Sequence, residues 1–137
     1  MVSLVKVQLA YEADRIIAVG LPERPPADLT SEQLRSLEAS LAAMPLQFPD
    51  TSDFRRSVWE AIQRIPFGQT RTYRQLAEQI GRPGAARAVG GACGANRLLL
   101  AVPCHRVVAS HGGLGGFALG LEWKRTLLAL EANAAAV

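Results

Sequence analysis

Two cysteines and two histidines are all that the 137 residues hold of the side chains that most often bind transition metals. Cys93 and Cys104 are too few for a disulfide framework and form no Cys-x-x-Cys pair, so a reducing compartment is the simpler assumption. With only His105 and His111 beside them, a structural zinc site lacks ligands, and no metal is expected. No run approaches the roughly 20 apolar residues that cross a bilayer, and the N-terminus has no basic segment leading into an apolar block and a cleavage site. A soluble, cytoplasmic protein without membrane contact is the expectation. Internal repeats and long low-complexity tracts are also missing. Charged residues make up only 20% of the chain against 49% hydrophobic, enough apolar material for one compact core, or for a small lobe beside a main one.

The charge that is present leans basic. Fifteen Lys and Arg against twelve Asp and Glu give +3 and a pI near 9.3, which fits an anionic partner without requiring one. Arg64, Arg71, Arg74, Arg82, Arg87, Arg97 and Arg106 all fall in the middle of the chain, around a Gly/Ala-rich segment. A solvated basic face is the alternative reading of that cluster.

Hydrophobic periodicity divides the chain into an N-terminal α/β lobe and linker over 1–50 and a mainly helical unit over 51–137, an α+β arrangement. Residues 2–10 and 15–21 read as the strands of a hairpin. Thr30 and Gln33 have the spacing of a capping box and open a helix carrying Leu34, Leu37 and Leu41, which Pro45 stops. Residues 46–53 read as a linker. A second helix places Phe54, Val58, Ile62 and Ile65 on one stripe and ends at Pro66-Phe67-Gly68. Thr72 and Gln75 form another capping box before Tyr73, Leu76, Ala77 and Ile80; a turn at residues 81–84 then leads to a third helix from Ala85 to about Gly94, giving helix, turn, helix.

That third helix carries one long side chain, Arg87. Each of its glycines costs roughly 1 kcal/mol relative to alanine, so so bare a helix needs a reason. Close approach to another surface, such as a nucleic-acid groove, is one; close helix–helix packing is the other. Beyond it, residues 98–102 form an apolar run suited to a buried strand or extended segment. A glycine-rich loop follows at residues 111–116, of the kind that covers substrates. A last helix starts near Leu121, with Trp123, Leu127 and Leu130 buried, and residues 132–137 are expected to fray.

The apolar run delivers Pro103-Cys104-His105-Arg106. A thiol with a pKa near 8.5 is only a few per cent thiolate at neutral pH, so a nucleophilic Cys104 needs a base. His105 is adjacent, yet neighbours on an extended chain point to opposite sides, and contact demands a local turn or a bridging water. Pro103 favours a turn there. A third group should orient the imidazole. Glu131 lies about 40° from Leu127 on a helical wheel, at the edge of the buried stripe; a rim glutamate near Lys124 is the competing reading. Cys104 itself could equally be a small buried hydrophobe, and Cys93 has no base beside it and reads as packing.

Taken together, Ala85-Ala86-Arg87-Ala88-Val89-Gly90-Gly91, Asn96, Pro103-Cys104-His105-Arg106-Val107, the glycine loop and Trp123…Leu127-Leu128…Glu131 closely resemble the O6-alkylguanine-DNA alkyltransferases over residues 54–131. The resemblance implies a small N-terminal α/β lobe followed by a winged-helix-like domain with a helix-turn-helix. It implies irreversible, single-turnover transfer of an alkyl group from O6-alkylguanine in double-stranded DNA to Cys104, without a cofactor, by a monomer. His105, through a water, and Glu131 would draw off the thiol proton; Asn96 would brace the turn; Tyr73 would assist the leaving base. Arg87 would replace the flipped nucleotide in the stack, and Ala85, Ala86, Ala88, Gly90, Thr72 and Tyr73 would face the minor groove. Val107, Gly115, Gly116, Phe117 and Ala118 would hold the base. Among the departures from relatives are a shorter region before Phe54 that lacks the zinc ligands some members carry, Ala118 without the hydroxyl of a serine, and Leu119 where glycine is common. The rivals are a lesion binder of the alkyltransferase-like kind, which Cys104 argues against, and a cysteine hydrolase or redox protein, which would turn over.

Overall fold

The computed structural model of the protein describes residues 5–135. Residues 2–4 of the first strand run and residues 136 and 137 of the tail lie outside the described residues.

The N-terminal hairpin is β1 (Gln8–Glu12) against β2 (Arg15–Gly20), antiparallel, with an irregularity between Ala10 and Tyr11. A two-residue turn joins them, and Ala13 enters the left-handed region with φ 54°. The outer edge of β2 is stitched to two other segments. Ile16 N–H donates to the Pro45 carbonyl and its own carbonyl accepts from Gln47, while Val19 N–H donates to the carbonyl of Arg97 at 2.8 Å. The edge that would otherwise invite another strand is thereby used to hold the lobe in place.

Helix α1 (Ser31–Ala42) begins at the complete Thr30–Gln33 capping box. Leu34, Glu38 and Leu41 share its buried face at spacings of four and three. It packs against α5 (Leu121–Ala135), and Ser31 Oγ donates across that contact to the Leu130 carbonyl at 2.6 Å. Helix α2 (Asp53–Gln63) is capped by Ser52 and buries Val58, Trp59, Ala61 and Ile62. The second capping box, Thr72 with Gln75, starts α3 (Tyr73–Gln79); Gly81, at φ +78°, follows its end, and α4 (Ala86–Gly94) comes next. Trp59 Nε1 donates to the Ala92 carbonyl at 2.8 Å, locking α2 to α4. Leu34, Leu41, Ile16 and Val19 from the N-terminal part join Val58, Ile62, Val89, Leu98 and Leu127 in one continuous core.

Two elements differ from the sequence expectation. Residues 98–102 form no extended strand: Ala101 N–H donates to the Leu99 carbonyl and Val102 N–H to that of Leu98, with Leu100 forced to φ 66°. The run doubles back on itself because a buried side chain described below holds both ends. The last helix runs to Ala135 instead of fraying from 132, since alanine propagates a helix at low cost. No helix among the described residues is long and apolar enough to cross a membrane.

Candidate active site around Cys104

The path from Leu98 to Val108 is folded by Asn96. Its Oδ1 accepts from Leu98 N–H at 2.9 Å, and its Nδ2 donates to the Val102 carbonyl at 3.0 Å and to Cys104 Sγ at 3.2 Å. Pro103, with φ −79° and ψ 64°, sits at the centre of an inverse γ-turn closed by Cys104 N–H on the Val102 carbonyl. A 3₁₀ turn over Cys104–Arg106 follows, and β4 (Val107–Val108) then pairs in parallel with β3 (Arg71–Thr72). This turn brings the consecutive residues His105 and Arg106 onto the same two carboxylates, Glu38 and Glu131.

Cys104 is 4% exposed and lines a cavity of about 330 Å³ with Tyr73, Gly90, Cys93, Gly94, Gly116, Phe117 and Ala118. That volume is at the small end of the range for small-molecule sites and suits a flat heterocycle. Burial pushes the thiol pKa up, while the Asn96 amide and the Lys124 ammonium pull it back. Cys93, read as packing, lines the same cavity, and burial followed by the charge of Cys104 pushes its thiol up to about 12.

His105 is fully buried, in an edge-on contact with Phe117. Its Nε2 is hydrogen-bonded to Glu131 Oε2 and lies 3.2 Å from Glu38 Oε1, whereas Nδ1 has no partner among the described residues. Burial alone would lower the imidazole pKa; Glu131 and Glu38 outweigh it and raise it. Glu131 is itself 2% exposed, which excludes the rim position beside Lys124. Burial works against its ionisation, but His105 and Arg106 hold its pKa at about 2. Its Oε1 also accepts from Gly68 N–H at 3.1 Å.

Arg106 does not belong to the basic surface. It is buried, with Nε 2.7 Å from Glu131 Oε1, Nη2 2.7 Å from Glu38 Oε2 and Nη1 donating to the Ile65 carbonyl at 2.9 Å. A guanidinium fork suits this task because it meets two carboxylates and a carbonyl at once. Glu38, His105 and Glu131 offer three ligand atoms within 4.8 Å of one another. The Arg106 cation already occupies both carboxylates, so a dication there would meet a fixed like charge, and the residues fit a hydrogen-bonded network better than a metal.

Lys124 is buried, with Nζ donating to the Val107 carbonyl at 2.6 Å and the Gly116 carbonyl at 3.0 Å. It clasps β4 to the glycine loop and stands 5.9 Å from the Tyr73 ring centroid. Burial lowers the ammonium pKa. Gly115 has φ +72°, and a Cβ on it would fall 2.3 Å from the Tyr73 hydroxyl, so the loop passes over the tyrosine only as glycine. Tyr73 is half-buried, and burial raises its phenol pKa.

Of the residues singled out in the sequence, Cys104, His105, Glu131, Asn96 and Tyr73 converge here, as do Val107, Gly115, Gly116, Phe117 and Ala118. Thr72 caps α3 beside them. Helix α4 buries Val89, Ala92 and Cys93, whereas Arg87, Ala88, Gly91 and Gly94 are exposed; a Cβ on Gly91 or Gly94 would meet nothing within 4 Å. Packing within the chain therefore leaves the bareness of that face unexplained. Ala85, Ala86 and Gly90 are half-buried at its margins. Sequence reasoning missed Glu38, Arg106 and Lys124. All three carried a signal, being charged positions on otherwise apolar stripes or runs: Leu34-Glu38-Leu41, Lys124-Leu127-Glu131, and Arg106 before two valines.

Known proteins resemble this chain in sequence and fold. A family model described as 6-O-methylguanine DNA methyltransferase, DNA binding domain, matches residues 53–133. A methylated-DNA–protein-cysteine methyltransferase of Mycolicibacterium paratuberculosis is 59% identical over 80 residues, covering 58% of this chain and 48% of that protein. One of Methanosarcina barkeri is 47% identical over 103 residues, covering 75% and 61%. The chain thus spans about half to three fifths of the length of these relatives. The crystal structure of Mycobacterium tuberculosis OGT in complex with DNA superposes with a TM-score of 0.76 at 36% identity, covering 93% of this chain and 86% of that one.

Proposed function

The chain belongs to the 6-O-methylguanine DNA methyltransferase family, and on that premise we propose that it repairs DNA by moving an alkyl group from O6 of guanine to its own Cys104. The observation that carries this reading is a cysteine on the wall of a base-sized cavity, next to an imidazole held by buried carboxylates. In this reading one proton relay joins base and acceptor. The Cys104 proton passes through a water to Nδ1 of His105, the ring nitrogen without a partner among the described residues. The thiolate attacks the alkyl carbon, an S–C bond forms as the C–O6 bond breaks, and guanine leaves with the O6 electrons. Tyr73 donates a hydrogen bond or a proton as that charge develops. The thioether has no hydrolysis route, so one molecule repairs one lesion.

Access requires the nucleotide to leave the stack, at a cost of a few kcal/mol that is least for a weakened pair. The open face of α4 supports a docking role for it. Arg87 enters the duplex in place of the extruded nucleotide, while Ala85, Ala86, Ala88, Gly90, Thr72 and Tyr73 follow the minor groove. Backbone groups at Val107 and from Gly115 through Phe117 to Ala118 receive the base. In this reading residues 51–137 form a winged-helix-like catalytic and DNA-binding domain, residues 1–50 a supporting lobe and linker, and the protein acts as a monomer.

Duplex DNA carrying O6-methylguanine, titrated against the protein, tests this. Repair should stop at one equivalent and vanish in Cys104→Ser. Repeated turnover would indicate a hydrolase, and tight lesion binding without repair would indicate a non-catalytic binder. Arg87→Ala should slow reaction with duplex DNA at least tenfold while leaving the reaction with free O6-benzylguanine unchanged; equal loss on both would overturn its role.

A further inference from the structure

We propose that Glu38, reaching from α1 into the site, is the counter-charge that makes His105 able to take and hold the Cys104 proton. This inference rests on the reading of Cys104 as the acceptor and adds to it a positioning residue outside the matched family region.

The geometry of one proton and two carboxylates argues for it. Neutral His105 has a single hydrogen on Nε2, and it is directed to Glu131. Glu38 Oε1 stands 3.2 Å from the same nitrogen yet has no hydrogen bond among the described residues, although its side chain is buried. Its other oxygen takes Arg106 Nη2. An oxygen left without a donor in a dry interior is costly, so a purely structural role does not account for its placement.

Charge counting does. Arg106 and Glu131 cancel. Without Glu38, a neutral imidazole would leave the cluster at zero, and accepting a proton would create a net buried cation. Burial pushes the Glu38 pKa up, against the pull of His105 and Arg106; with Glu38 ionised on the Arg106 guanidinium, the cluster starts at −1 and becomes neutral when the proton arrives. Inside a protein, where charges interact strongly, that difference favours thiolate–imidazolium over thiol–imidazole. Among the described residues, the charged groups around His105 are Glu38 of α1, Glu131 of α5 and Arg106 of its own turn, while the segment just after α2 offers the Ile65 carbonyl, which accepts from Arg106. Lys124 of α5 stands on the sulfur's side, at the Val107 and Gly116 carbonyls.

The full-length protein and its Glu38→Gln variant should be compared by the pH dependence of Cys104 carboxamidomethylation with iodoacetamide, which reads thiolate directly, with the site mapped by peptide mass. The variant's midpoint should move up by about one unit or more, with the rate near neutrality falling about tenfold. Glu38→Asp should keep most of the wild-type profile. A superimposable Glu38→Gln profile, or a pH-independent loss shared equally by Gln and Asp, would overturn the proposal. Should Glu38→Gln fail to fold, Glu38→Met takes its place as the variant that removes the charge: it should show the same upward shift, and an unshifted midpoint overturns the idea. Because iodoacetamide involves no alkylguanine, a shifted thiol profile in a protein that accepts no methyl group would refute the repair reading alone.

Discussion

Replacing Arg106 by methionine, which keeps the apolar stem and removes the guanidinium, probes the buried network most sharply. The wild-type side chain holds two carboxylates and the Ile65 carbonyl through three bonds of 2.7 to 2.9 Å, and it is 6% exposed. Its loss leaves Glu38 and Glu131 facing one imidazole, an uncompensated buried negative charge. Breaking such a group from one side costs about 3–5 kcal/mol, a large part of the roughly 5–15 kcal/mol that stabilises a domain. With a urea m-value of about 2 kcal/mol/M, the midpoint should fall by about 2 M. The penalty should shrink as pH drops toward 4, because the variant relieves its excess charge by binding a proton that the wild type does not need. Arg74→Ala is the control: its Glu78 ion pair is solvent-exposed and should cost below about 0.5 kcal/mol. Urea denaturation at several pH values measures both. An Arg106→Met penalty below about 1 kcal/mol, or one that grows in acid, would refute the reasoning.

Three further outcomes are expected. Glu131, held at about 2, has a depressed pKa, so its stabilisation is fully present above the unfolded value near 4.3 and is lost as pH falls toward 2; Glu38, raised by burial, works in the opposite sense and reduces the net loss. Urea midpoints between pH 6 and 3 should therefore fall in the wild type and fall less in Glu131→Gln. Asn96→Ala removes three buried hydrogen bonds and frees Leu100 from its positive φ, so stability should drop by on the order of 2–3 kcal/mol and alkylation of Cys104 should slow, as denaturation and reaction rates will report. Gly115→Ala drives a methyl into the Tyr73 hydroxyl; a loss of about 1–3 kcal/mol and at least a tenfold slower reaction with alkylated DNA should follow, and an unaffected rate would mean that Tyr73 can move aside.

Much of the framework was legible because it is local. Thr30 with Gln33 and Thr72 with Gln75 announce helix starts within four residues, and both boxes form. The bare surface of α4 was also visible, though only the structure shows that Val89, Ala92 and Cys93 face inward while Arg87 and Gly91 do not. What resisted reading depends on contacts distant in sequence. Residues 98–102 look like a strand until Asn96 is seen to tie both ends, and Arg106 looks like one more surface arginine until Glu38, 68 residues away, is seen beside it. Periodicity alone left Glu131 undecided between rim and interior; its three partners, Gly68, His105 and Arg106, come from other parts of the chain.

The central claim is that the sulfur of Cys104 receives the alkyl group. Incubation with duplex DNA containing O6-methylguanine, followed by proteolysis and peptide mass analysis, tests it most directly. The account predicts that the peptide bearing Cys104 gains the mass of one CH₂, up to one group per protein, while that bearing Cys93 does not. An unmodified Cys104 peptide after the lesion has been consumed, or the added mass on any other residue, would contradict it.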